Sequence, residues 1–204
     1  MSKLLTQIDL LRHGDTEFSN RYCGSTNHPL TSLGWQQLWK AVKTQGAKLH
    51  PWQYIVTSPL QRCTAFATEL GQCHHIPVIE DMRFQEIHFG GWENHSSADI
   101  MQSNPTALTR FWQNPLIFTP PNAESLIDFS VRVLTAWEAL IYQHQGEKVL
   151  LITHGGVIRV ILCHLHDQSL ESLFNFTVDH ADLYSIKIPA TSNNVTITYH
   201  GCNV

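Results

Sequence analysis

Two short apolar runs, each closed by a histidine and a glycine, restrict this chain more than any other feature. Ile8 to Leu11 runs into Arg12, His13 and Gly14, and Val149 to Ile152 runs into Thr153, His154, Gly155 and Gly156. Apolar stretches of this length with abrupt polar ends read as buried strands of a parallel sheet. In an open α/β sheet, ligands bind beyond the carboxyl ends of the strands. The two histidines are therefore expected at one edge of one sheet. A lone histidine at a strand end is more often a satisfied loop or core residue, but a second one in the same context points to chemistry.

The remaining pattern fills in around these runs. Tyr54 to Val56 and Val78 to Ile79 read as further short strands. Thr31 opens a helix with Trp35, Leu38, Trp39 and Val42 on one face, and residues 96 to 123 hold short helical pieces broken by prolines. A long amphipathic helix from Glu124 toward His144 turns Leu126, Val133, Trp137, Leu140 and Ile141 inward, with Gly146 beyond its end. It leads into the His154 strand and then the helix from Val157 to Leu165, a crossover expected to be right-handed. Leu183 to Ile188 and Val195 to Tyr199 flank Ser192-Asn193-Asn194 and read as a hairpin. The prediction is a three-layer α/β fold in one domain over 1–204, its mostly parallel central sheet flanked by helices and finished by an antiparallel edge.

Composition narrows the function. With 43% hydrophobic and 15% charged residues the chain can bury a sizeable core, and a net charge of −4 supplies no basic footprint for nucleic acid. No apolar run approaches the length of a membrane span, and the N-terminus lacks the pattern of a signal peptide, so a cytoplasmic address is expected. The five cysteines are odd in number and unpaired by spacing, which suits reduced thiols. The thirteen histidines fall into no metal-ligand spacing, so neither metal nor cofactor is expected.

Asp15 to His28 is polar and reads as a loop over the first strand's end, where Gly24, lacking a β-carbon, would let backbone approach a phosphate oxygen. Ser58, Pro59 and Gln61 read as N-cap, first and third residues of a helix, which places Arg62 on a first turn that already favours anions. The ordered set of Arg12-His13-Gly14, Ser58-Pro59-Leu60-Gln61-Arg62, the run from Phe84 to Asn94 and Thr153-His154-Gly155-Gly156 resembles the histidine phosphatase, or phosphoglycerate mutase-like, superfamily.

That resemblance implies a metal-independent phosphomonoesterase for a small phosphorylated metabolite. His13 would be the nucleophile, Arg12 and Arg62 the phosphate clamp, Glu86 the proton donor and Glu93 a structural residue. His154 and the backbone near Gly155 would stabilise charge opposite the arginines. Two positive neighbours should also lower the pKa of His13 and keep it nucleophilic. The stretches PPNAESLIDFSVRV and LFNFTVDHADLYSIKI are similar to segments of the α-ribazole phosphatases, which act in assembling the nucleotide loop of cobalamin. Ala123 stands where those proteins usually have glycine, and Asn27 where aspartate is common.

Phe111, Trp112 and Phe118 would suit a flat leaving group or would simply pack a core. A broad-specificity phosphatase remains open as an alternative. So does a mutase, although no insertion or tail is visible to close over a phosphoenzyme. A non-catalytic phospho-ligand binder would be marked by loss of a catalytic residue, and His13, Arg62, Glu86 and His154 all stand.

Overall fold

In the computed structural model, residues 5–45, 52–190 and 195–201 are described. The chain runs β1 (Leu5–Arg12), α1 (Ser32–Gln45), β2 (Tyr54–Thr57), α2 (Gln61–His74), β3 (Val78–Glu80), α3 (Ser97–Ser103), α4 (Pro105–Gln113), α5 (Leu126–Gln143), β4 (Lys148–Thr153), α6 (Gly155–Leu165), β5 (Leu183–Pro189) and β6 (Thr196–His200). The strands form one six-stranded sheet in the order β3-β2-β4-β1-β5-β6. β1, β2, β3 and β4 pair in parallel, whereas β5 joins β1 antiparallel and β6 joins β5 antiparallel. The fold is thus the expected mixed α/β sheet with an antiparallel edge. The Ser192-Asn193-Asn194 turn and Cys202 lie outside the described residues; Cys23, Cys63, Cys73 and Cys163 are free thiols.

Both faces of the central strands are covered, and their alternation decides by what. Val149 and Leu151 of β4 belong to a core with α5 and α6 residues such as Val133, Trp137 and Ile158, while Leu150 and Ile152 face the opposite core with Leu38, Phe66 and Leu70 of α1 and α2. Successive strand side chains point to opposite faces, so an uninterrupted apolar run is what a strand between two helical layers requires. A third, smaller cluster of Trp92, Ile100, Ala107, Leu108 and Phe111 lies under α3 and α4. Among the described residues, no helix is long and apolar enough to cross a membrane.

Helix starts follow local chemistry at α1, α3, α4 and α5, whereas α2 and α6 begin without a side-chain cap. Thr31 Oγ1 accepts the Gly34 N–H at 3.0 Å, and Ser125 Oγ accepts the Asp128 N–H at 3.0 Å. Ser58 does not cap α2, contrary to the sequence pattern: the helix begins at Gln61, and the N-cap position falls on Leu60 without a side-chain bond. The side chain of Asn27 takes over, its Oδ1 accepting the Gln61 N–H at 2.7 Å. An amide oxygen there supplies the acceptor that an aspartate would. Asn122 adopts a left-handed φ of 60°, which asparagine tolerates, whereas Ala123 is not among the positive-φ residues and so does not need to be glycine.

Gly14 and Gly34 let the loop after β1 lie directly on the start of α1. A β-carbon on Gly14 would run into the Gly34 carbonyl, and one on Gly34 into the Asp15 carbonyl. Because that loop carries His13, Gly34→Ala should destabilise the fold by about 1–3 kcal/mol, the usual cost of overpacking. Urea unfolding measures this; a variant as stable as the parent would show that the two segments separate without cost.

Candidate active site

The β1–β4 pairing sets the site. Arg12 is opposite Thr153 in the register, and the His13 N–H donates to the Thr153 carbonyl at 2.9 Å. The next residues, His13 and His154, therefore leave the sheet side by side, their rings 5.2 Å apart in an edge-on arrangement. His13 Nδ1 lies 2.8 Å from the Gly14 carbonyl. A carbonyl only accepts, so the proton sits on Nδ1 and the lone pair on Nε2. Burial, then Arg62 and Arg12, hold His13 well below the ordinary histidine range, so its ring is neutral.

Arg62 is only 2% exposed. Its Nη1 donates to the Thr26 carbonyl at 2.7 Å and its Nη2 to the Gly24 carbonyl at 2.5 Å. Its Nε donates to His154 Nδ1 at 3.2 Å. A guanidinium carries five N–H groups, so the two left on Nη1 and Nη2 remain available for an anion. His154 is fully buried, and its Nε2 donates to Ser58 Oγ at 2.7 Å. It thus stands behind Arg62 and beside His13, with both ring nitrogens engaged. Burial and Arg62 keep it neutral as well. The serine expected to cap α2 is occupied here instead. Cys63 lies beside the same ring, 3.7 Å from Nε2, with its thiol pushed up to about 12 by burial and hence inert.

Arg12 approaches from the other side. Its Nη1 donates to the Val178 carbonyl at 2.7 Å, while its Nε is buried with no partner among the described residues. Burial draws Arg12 below its ordinary value, and the nearby Glu86 carboxylate counters that. An unpaired buried donor is costly, and an anion would satisfy it. Gly155 is the first residue of α6, where backbone N–H groups lack intrahelical partners.

Glu86 bridges to the rest of the site. Its Oε2 accepts the Gly156 N–H at 3.0 Å and its Oε1 the Ile87 N–H at 3.1 Å. Glu93 serves as the staple between the Glu86 segment and the 24–26 loop, accepting from the N–H groups of Ser25 (3.0 Å), Thr26 (2.9 Å) and Phe89 (2.9 Å). Gly24 is at φ +32°, and a β-carbon on it would strike the Glu93 carboxylate.

These groups open on a cleft of about 490 Å³ lined by Arg12, His13, Gly24, Arg62, Glu86 and His180, among others. His180 lies inside the LFNFTVDHADLYSIKI stretch, which gives it no role of its own. Its ring centroid is 5.6 Å from that of His13, and its Nδ1 is 4.0 Å from Asp15 Oδ1. Burial and Arg12 bring it down to about 4. The turn that presents it is strained, with Ala181 at φ 60°, and is tied to the end of β1 by the Ala181 N–H to the His13 carbonyl at 3.3 Å. Its signal in the sequence is a histidine just before the β5 run. A second pocket, of about 610 Å³, shares Glu86 and Phe89 with the cleft and is otherwise mainly apolar, with Phe111, Phe118, Phe129 and Phe174 in its wall beside Arg159. Trp112 is not in that wall; it is half exposed and donates to Tyr22 Oη at 3.3 Å. Among the described residues, no three His, Cys, Asp or Glu side chains are grouped to hold a metal ion.

The family model described as the histidine phosphatase superfamily (branch 1) matches residues 8–199. The chain belongs to that superfamily. Its curated relatives include a bifunctional protein of Mycobacterium tuberculosis, 32% identical over 185 residues, which are 90% of this chain and 50% of that protein. The chain thus spans about half the length of the first curated relatives it matches. The adenosylcobalamin/alpha-ribazole phosphatase of Escherichia coli is 27% identical over 186 residues, covering 88% of each chain. Among solved structures, Bacillus stearothermophilus YhfR superposes with a TM-score of 0.84 at 30% identity, covering 96% of this chain and 94% of that one.

The three depressed imidazoles give the histidine phosphatase site a definite pH signature. The unfolded chain binds more protons than the folded one from the lowered folded values up to the ordinary 6.5, so stability should rise with pH from about 4 and flatten above 6.5. Nitrogen-15 spectra at pH 6 should show His13, His154 and His180 neutral. Protonated rings at that pH would contradict the electrostatics.

Proposed function

We propose that this chain is a metal-independent phosphomonoesterase that works through a phosphohistidine, with α-ribazole 5′-phosphate as its leading substrate. The observation that carries the chemistry is a neutral His13, its Nε2 lone pair uncommitted, set between two guanidiniums with donors to spare. Nε2 attacks phosphorus while the bond to the leaving oxygen breaks, and that oxygen takes a proton from Glu86. Water then attacks the phosphohistidine, Glu86 removes its proton, and inorganic phosphate departs with His13 restored. Arg12 and Arg62 clamp the equatorial oxygens through their planar forks, and the charge that phosphoryl transfer calls for is covalently present in them. His154 holds Arg62 in plane and buttresses the His13 ring. Gly24, through its carbonyl on Arg62, and Gly155, at the head of α6, complete the phosphate cradle.

The leaving group is assigned from the pocket beyond Glu86. A phenylalanine-lined cavity within the usual size range for small ligands suits a flat apolar base such as benzimidazole. The similarity to the E. coli enzyme supports the same choice and, with it, a place in cobalamin nucleotide-loop assembly. Arg159 in the same wall favours a second reading, a small phosphorylated acid whose carboxylate it would meet.

His13→Ala should abolish turnover with the fold intact, and acid quenching of the parent should trap acid-labile phosphate on His13. An active variant, or phosphate trapped elsewhere, overturns the covalent route. For the substrate, kcat/KM is compared among α-ribazole 5′-phosphate, 3-phosphoglycerate and an aryl phosphate. A preference for the ribazole ester above about tenfold, equivalent to about 1.4 kcal/mol of transition-state binding, is the expected result. A preference for the phosphorylated acid would select the second reading, and no preference would leave a general phosphomonoesterase.

A further inference from the structure

Glu86 belongs to a segment without regular structure, between short 3-10 turns at Met82–Phe84 and Gly90–Trp92. A proton donor has to come within hydrogen-bond reach of the leaving oxygen, so an irregular segment needs an external fixture. α5 supplies one. Arg132 Nη1 donates to the carbonyl of Arg83 at 2.8 Å and to that of Gln85, the residue before Glu86, at 3.1 Å. The same guanidinium forks onto Glu124, Nε to Oε1 at 2.9 Å and Nη2 to Oε2 at 2.7 Å. Glu124 then holds the far flank. Its N–H donates to the His88 carbonyl at 2.9 Å, and its Oε2 accepts the His88 N–H at 3.4 Å.

One ion pair therefore brackets the acid segment on both sides. Its side chains are only 25% and 19% exposed, and the guanidinium carbon lies 5.1 Å from the Phe129 ring centroid, which restrains its plane. An ion pair serving only as a surface contact would have no reason to spend a third nitrogen on two main-chain carbonyls next to a cleft carboxylate. Lysine offers the charge but not the fork, so it cannot hold Glu124 and both carbonyls together.

We propose that Arg132 and Glu124 are positioning residues for Glu86, a role that rests on Glu86 being the proton donor. They set where its carboxylate stands and leave nucleophilic attack by His13 untouched. The test uses kcat/KM, which covers the steps up to phosphohistidine formation, on an alkyl and an aryl phosphate. The aryl ester departs with little need of a proton and so reports on the nucleophile alone. Arg132→Lys should lower the alkyl value by about tenfold or more and the aryl value by less than about threefold. Introduced into a Glu86→Gln enzyme, it should change the alkyl value by less than about twofold, because the group it positions is already gone. Glu124→Gln, which weakens the opposite end of the same fork, should reproduce both results. Equal losses on the two esters in both variants, or losses that multiply in the double variants, overturn the proposal. A Glu86→Gln enzyme that shows no difference between esters would instead remove Glu86 as the acid, an outcome visible before Arg132 is touched.

Discussion

The parallel pairing of β1 with β4 is the constraint on which this molecule depends. Parallel strands run their carboxyl ends in the same direction, and the register that sets Arg12 against Thr153 makes both chains leave the sheet at the same height. A slip of one residue would turn Arg12 and the alternate core side chains to the wrong face. The apolar alternation of β4 against two different helical layers makes such a slip expensive, so the same burial that stabilises the sheet fixes the spacing of the two imidazoles. The geometry of the candidate site is a by-product of core packing.

Arg62 shows how charge is kept in a buried place. Its guanidinium is held by two main-chain carbonyls and an imidazole and, among the described residues, has no carboxylate partner in hydrogen-bond contact. Neutral acceptors compensate desolvation without cancelling the positive charge, so the field at the cleft stays available to an incoming anion. The cost appears on the histidines, which the same field keeps neutral. Pairing Arg62 with an acid would have raised His13 toward protonation and removed its lone pair.

The elements that rest on periodicity were legible in the residues alone. The β1 and β4 runs, the apolar faces of α1 and α5 and the closing hairpin strands carry their burial pattern locally, and the four motifs converge as their order implied. What was not legible depended on partners distant in the chain. Ser58 has the local form of an N-cap, yet His154, 96 residues away, claims its hydroxyl, while Asn27 reaches across to cap α2. His180 lies in a stretch that assigns it no role and gains its place through a strained turn stitched to His13. Of the aromatics between Phe111 and Phe118, two face the pocket and Trp112 does not, a division set by how α4 packs and not by composition.

The bond from His13 to the Gly14 carbonyl carries a consequence for how this protein can vary. Where a carboxylate side chain fixes a catalytic imidazole, one codon change can neutralise it and leave the ring with its proton on the wrong nitrogen. Here the acceptor is main chain, so no change of side-chain charge deletes it; only a shift of the backbone can, and within position 14 itself that is what a β-carbon against the Gly34 carbonyl would force. The other loops around the cleft are therefore free to be rewritten while the protonation of the His13 ring is inherited unchanged.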